Sequence, residues 1–214
     1  MSDGNLLTDH PALHEARFPD TDRLAGRWTE DCLRRYDAGP RVLDMGCGTG
    51  RDAAHLHSAG RTVTGADLSE AILSYARARH PGPSYVHADL HGFDLGAFDG
   101  RTDLLDSPKA DSFTWQGTAY RSRTTLTAYR TAQLLRRTRV WTADDGSPPL
   151  EQRSAWRLLF PQELRRFLAA HGFDVLELHD GPGPRTEPLW REGESPGTTT
   201  DADRLHLVAR LHTL

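Results

Sequence analysis

The sequence is short of several things, and each shortage excludes a class of protein. Its 214 residues hold two cysteines, Cys32 and Cys47, which make no disulfide framework. Positive charge is not in surplus: 26 Lys and Arg stand against 30 Asp and Glu, a net charge of −4 with neutral histidines. No basic footprint therefore points to nucleic acid. No apolar run approaches the roughly 20 residues of a membrane span. The opening "MSDGNLLTDHPALHEA" lacks the basic and apolar segments of a signal peptide. Eleven histidines are scattered without metal-ligand spacing, and "HLH" at His55 to His57 reads as a helix surface. No metal, nucleic-acid or membrane partner is expected, and the expected setting is cytoplasmic. The length suits one domain with an added lobe and a substantial core.

What is present is concentrated in the first third. "FPDTDRLAGRWTEDCLRRYDAG" places Leu24, Trp28, Cys32, Leu33 and Tyr36 at helical spacing, with Asp20 to cap the start and Gly39 to close the end. "RVLDM" reads as a short buried strand and "RDAAHLHSAG" as a helix ending at Gly60. "RTVTGAD" is a second strand, "LSEAILSYARARHPG" a helix capped by Ser69 and stopped by Pro81, and "PSYVHADL" a third strand. Strand and helix alternating at this spacing imply right-handed crossovers and a parallel α/β sheet.

Gly46, Gly48 and Gly50 then fall at the carboxyl end of the first strand, where the chain turns into a helix. Their missing side chains let backbone N–H groups approach a ligand, and ligands of open α/β sheets bind at such strand ends. Asp67 ends the second strand, where a carboxylate can accept hydrogen bonds from ribose hydroxyls. The turn is D-x-G-x-G-x-G, not the G-x-G-x-x-G of a dinucleotide site. Asp44 ahead of it repels a diphosphate but suits a ligand carrying an ammonium or sulfonium.

These stretches resemble the class I S-adenosylmethionine-dependent methyltransferases of small molecules. "VLDMGCGTG", "VTGADLSEAIL" and "YVHADL" match three motifs of that family, in order, from about Arg41 to Leu90. The resemblance implies a Rossmann-like sheet, mostly parallel with an antiparallel C-terminal hairpin, and S-adenosylmethionine as cofactor. It implies that Asp44 and the backbone of Gly46, Cys47, Gly48 and Gly50 hold the methionine moiety. Asp67 would take the ribose diol and Leu68 would flank the adenine. Asp89 would accept the adenine amino group, with Leu90 lining the same pocket.

The chain departs from the family after Leu90. "GAFDG", Gly96 to Gly100, looks like the opening of a fourth strand, yet "RTDLLDSPKADSF" follows with neither an apolar strand nor a helix. A crossover takes about 10–12 residues or more, beside strands of about 5–6 each. The interval to Asp111 holds one strand at most, so one strand–helix unit is expected to be missing. "TDLLDS" is then a candidate for the fifth strand: either it closes up beside the first, or the gap is filled by water, by the antiparallel meander that follows, or by a second copy of the chain as a homodimer.

Residues 1–111 read as the cofactor-binding part. Ser112 to Phe160 read as an inserted antiparallel meander, a lid in small-molecule members of the family. Trp115 and Tyr120 suit either its core or a substrate pocket. Arg136, Arg137 and Arg139 read as a solvated strand face, since acids balance them overall. Residues 161–214 read as a helix with a buried stripe of Leu164, Phe167 and Leu168, then a hairpin, "FDVLELHD" with "DRLHLVARLH", completing the sheet. The Pro- and Gly-rich link between those strands is anchored, if at all, by Trp190.

Methyl transfer needs the nucleophile, methyl carbon and sulfur held in line, and a base only where the acceptor arrives protonated. No catalytic residue is marked; His10, His14 and His87 are candidates by type alone. The expected function is methyl transfer to N or O of a small metabolite. Two alternatives are a cofactor-binding paralogue impaired by the missing unit and, opposed by the Asp44 turn, a nicotinamide-dependent oxidoreductase.

Overall fold

A computed structural model describes residues 6–89, 101–105, 110–129, 131–158, 160–179, 181–184, 189–194 and 206–211. Three helices come first: α1 (Leu6–Asp9), α2 (Pro11–Arg17) and α3 (Leu24–Arg35). An alternating unit follows: β1 (Arg41–Met45), α4 (Arg51–Ser58), β2 (Thr62–Asp67), α5 (Glu70–Arg79) and β3 (Ser84–His87). The strands pair in parallel in the order β1-β2-β3. The punctuation is local: Asp20 Oδ1 accepts the Leu24 N–H at 3.0 Å, and Ser69 Oγ accepts the Ile72 N–H at 3.3 Å. Gly60 follows α4 with φ +88°. These contacts satisfy donors that a helix start leaves unpaired.

The two faces of this sheet differ. Val42 and Tyr85 pack with Leu33 of α3 against the buried Ala53, Leu56 and Val63. Gly26 allows α3 to lie close on α4, since a Cβ there would meet the His55 ring at 2.8 Å. His55 therefore sits in a helix contact, bonded to Glu30 at 2.9 Å, and not on an open surface. On the opposite face Leu43, Met45 and Val86 are exposed, and β1 pairs with β2 alone among the described residues.

A second layer is antiparallel: β4 (Arg101–Leu105), β5 (Ala110–Trp115), β6 (Thr118–Tyr129), β7 (Leu134–Ala143) and β8 (Leu150–Arg157). It runs β4-β6-β7-β8, with β5 also on β6. Its inner face meets the N-terminal helices: Leu7, Leu13 and Trp141 are buried together, with Phe113, Trp115 and Tyr120 against them. Trp115 and Tyr120 are thus core residues. The architecture is Rossmann-like α/β with added antiparallel sheet.

Three expectations need correction. The strand within "TDLLDS" does not close beside β1; as β4 it pairs antiparallel with β6, Arg101 opposite Tyr129. The proposed fourth-strand opening at "GAFDG" lies outside the described residues, and no parallel strand follows β3 among the described ones. The final hairpin, β9 (Phe173–His179) with β10 (His206–Leu211), forms its own two-stranded sheet and does not extend β1–β3 there. The helix before it, α6 (Pro161–Ala170), packs chiefly on β9, buries no stripe among the described residues, and leaves Phe167 exposed. Trp190 does anchor the link: it is 3% exposed, and its N–H donates to the Gly183 carbonyl at 3.0 Å.

Candidate functional site

The turn after β1 is built from backbone that other residues resist. Gly46, Gly48 and Gly50 have φ of +77°, +54° and +83°, the left-handed region glycine enters freely. The N–H groups of Gly46 and Cys47 both donate to the Ala66 carbonyl, at 2.7 and 3.1 Å, which ties the turn to the end of β2. The glycines serve two purposes. A Cβ on Gly46 or Gly48 would meet nothing within 4 Å, so these positions border open space. A Cβ on Gly50 would meet the Tyr85 hydroxyl at 2.5 Å and Ala76 at 3.0 Å, so Gly50 serves helix–sheet packing.

Asp67 is held from both sides at the end of β2. Its Oδ2 accepts the Gly48 N–H and its Oδ1 the Ser69 N–H, each at 3.0 Å. An ionised carboxylate has about four acceptor positions, so two such bonds fix the group and leave it able to accept more. Asp44 is half-buried behind it. Burial, then the charges of Asp52 and Asp67, push its carboxyl up to about 6. A carboxylate so placed favours a cation beside it. Burial with Asp44 and Asp67 pushes the Cys47 thiol up to about 12, which leaves it protonated and unsuited to nucleophilic attack. Leu68 and Asp89 are exposed at the same strand ends, and Leu90 lies outside the described residues.

Sequence reasoning missed how the N-terminal helices meet this turn. Glu15 of α2 accepts from the Tyr75 hydroxyl at 2.9 Å and meets His80 at 3.3 Å. Burial opposes its charge, but hydrogen bonds from Tyr75, His80 and Thr49, with the charge of Arg51, hold it below the usual carboxylate range. Arg51 donates to the Phe18 carbonyl at 2.8 Å. Nothing in the spacing of Glu15 and Tyr75 signals this clasp. Beside it lies a cavity of about 520 Å3 lined by His14, Arg17, Phe18, Arg51 and Arg137 among others. Of the three candidate histidines only His14 lines it. His10 is exposed, and His87 Nε2 lies 2.7 Å from the Leu68 carbonyl. The arginines are corrected too: Arg136 is exposed, but Arg137 and Arg139 are partly buried on the inner face of β7.

With the geometry in hand, comparison with known proteins is informative. A family profile described as a methyltransferase domain matches residues 42–115. The malonyl-[acyl-carrier protein] O-methyltransferase of Pectobacterium atrosepticum is 37% identical over 79 residues, 37% of this chain and 31% of that protein. A dTDP-3-amino-3,6-dideoxy-alpha-D-glucopyranose N,N-dimethyltransferase of Streptomyces fradiae is 31% identical over 93 residues, 44% of this chain and 36% of that protein. The match thus spans about a third of the length of either relative. Among solved structures, an S-adenosylmethionine-dependent methyltransferase from Clostridium acetobutylicum aligns over 98% of this chain and 100% of its own, with TM-score 0.64 and 13% identity. The sugar N-methyltransferase KedS8 from Streptoalloteichus aligns over 82% of this chain and 89% of its own, with TM-score 0.62 and 20% identity. At those identities the structures speak to the fold, and the matched segment to the motifs. Over residues 42–115 the chain thus matches a methyltransferase domain, and its fold is that of S-adenosylmethionine-dependent methyltransferases.

Proposed function

We propose that the protein transfers a methyl group from S-adenosylmethionine to N or O of a small metabolite. The observation that carries this reading is the Asp67 carboxylate, locked by the Gly48 and Ser69 N–H groups beside a turn whose Gly46 and Gly48 border open space. The bound cofactor supplies an activated methyl on a sulfonium. The chain's own task is then to bind, orient and exclude water. In this reading Asp44 and the backbone from Gly46 through Cys47 and Gly48 to Gly50 hold the methionine end. Asp67 accepts the ribose hydroxyls, Leu68 covers one adenine face, and Asp89 with Leu90 serves its amino edge. The inner face of the antiparallel sheet and α2 form the acceptor's side of the cavity. The curated relatives act on an acyl-carrier-protein-bound malonyl group and on a nucleotide-linked amino sugar, which supports acceptors at either O or N.

The test is calorimetric titration of the purified protein with S-adenosylmethionine, followed by a transfer assay with labelled methyl donor over amine, hydroxyl and carboxyl metabolites. Micromolar binding with label entering one acceptor class is the expected result. A protein that does not bind the cofactor overturns the proposal.

A further inference from the structure

The cavity between α2, the start of α4 and β7 gathers positive charge. Arg17 comes from α2, Arg51 from the start of α4 and Arg137 from β7, and all three line it. Arg17 pairs with Asp111 of β5, yet its Nε is buried without a hydrogen bond. Arg51 has Glu15 only at 4.0 Å. Arg137 has no ion pair among the described residues: one nitrogen donates to Ser154 Oγ at 3.1 Å, its Nε is buried without a partner, and it lies over the Trp156 ring at 4.8 Å. Arg139, two residues on and on the same face, donates to Thr124 Oγ1 at 2.9 Å and likewise has no acid partner there. One acid, Asp20, also lines the cavity, and its Oδ1 accepts the Leu24 N–H. Partly buried guanidinium groups without acids are costly. Burial and the charge of Arg139 pull Arg137 below the ordinary arginine value, and burial and the charge of Arg17 do the same to Arg139. An anion between them relieves that cost, and guanidinium forks suit carboxylate and phosphate.

From this geometry we infer that the methyl acceptor is a small anion, its carboxylate or phosphate seated between Arg17, Arg51 and Arg137. The inference rests on the methyl-transfer reading for the word acceptor, but the anion site stands on its own contacts. The cavity has the size of a small-molecule pocket, about 300–1,000 Å3 in general.

The probes are pyrophosphate and malonate, titrated calorimetrically at low ionic strength with and without saturating S-adenosylhomocysteine. At least one should bind the wild-type protein at millimolar concentration or tighter. Pyrophosphate binding more tightly identifies a phosphate-bearing acceptor, malonate a carboxylate-bearing one. Arg137→Gln should weaken that binding about tenfold or more, the scale of a charge-assisted contact. Arg137→Lys, which keeps the charge, should weaken it less, and Arg136→Gln, on the outer face, should leave it within about twofold. All three variants should bind S-adenosylhomocysteine like the parent, which shows that the fold survives. Failure of both anions to bind, no loss in Arg137→Gln, or an equal loss in Arg136→Gln overturns the inference. Failure of S-adenosylhomocysteine to bind the wild-type protein sinks the methyl-transfer reading instead, and the cofactor-free titration then still decides the anion site.

Discussion

Two regions of opposite charge lie on either side of the start of α4, and they reach that state differently. The turn after β1 concentrates carboxylates: burial and the charges of Asp52 and Asp67 raise the cost of ionising Asp44. Backbone N–H groups fix Asp67 there, and neither Asp67 contact requires a distant partner beyond the adjoining turn. The inner face of the antiparallel sheet concentrates guanidinium groups, Arg137 and Arg139, placed by strand alternation and supported by Trp141, which is 1% exposed. The acidic region is local in sequence and the basic one is assembled from three segments. A ligand that is cationic at its reactive centre, beside an acceptor that is anionic, matches this division. Such a division separates the two binding energies, so each region can be damaged without the other.

The largest expected effect is on the support of the basic face. Trp141→Ala removes the largest side chain of the cluster with Leu7 and Leu13, at about 3–5 kcal/mol. Thermal denaturation should show the loss, while cofactor affinity measured below the new midpoint should change little. Next come the glycines, where neighbouring positions should part company. Gly50→Val forces a branched side chain into Tyr85 and should destabilise the fold by about 1–3 kcal/mol from overpacking, beside the strain of its positive φ. At Gly48 an added Cβ meets no atom within 4 Å, so Gly48→Val brings the strain of a φ of +54° without that clash; it should also lower titrated cofactor affinity, about tenfold or more, in the space the ligand uses. Equal affinity in the Gly48 variant would remove the turn from the site.

Asp67→Ala loses charge-assisted hydrogen bonds worth about 1.5–3 kcal/mol. Calorimetry should find cofactor binding weaker by one to two powers of ten, with anion binding in the basic region retained. The smallest effect is one of pH. Because the Asp44 carboxyl is raised to about 6, the native state holds that proton after the unfolded chain, near 4, has released it. The Asp44 contribution to stability therefore falls as pH rises between about 4 and 6 and is level above. Cofactor binding runs the other way, because a sulfonium or ammonium prefers the carboxylate. Affinity should rise up to about tenfold from pH 5 to pH 7. Asp44→Asn should flatten the profile, weaken binding at pH 7 and slightly raise the denaturation midpoint there. A parent profile as flat as that of the variant would show that Asp44 does not meet the cation.

The elements from Leu24 to His87 were legible in the sequence because their signals are short-ranged. Ser69 reaches only to Ile72 and Asp20 only to Leu24, so cap, stripe and stop are all written within one helix. The three glycines and Asp67 were legible for the same reason: two strand ends and a turn bring them together with no help from the rest of the chain. From residue count the stretch after Leu90 is expected to lack the usual strand–helix unit, since chain length is an absolute limit; residues 90–100 lie outside the described ones. The sequence alone did not decide where "TDLLDS" pairs, because a strand's partner depends on which edge is free, and β6 offered one. Only the tertiary structure turned Arg137 and Arg139 inward and left Arg136 outside. Alternation divides a strand into two faces but does not say which is buried. Here the packing of Leu7 and Leu13 onto Trp141 chose the face and brought Arg137 to the cavity that Arg51 also lines.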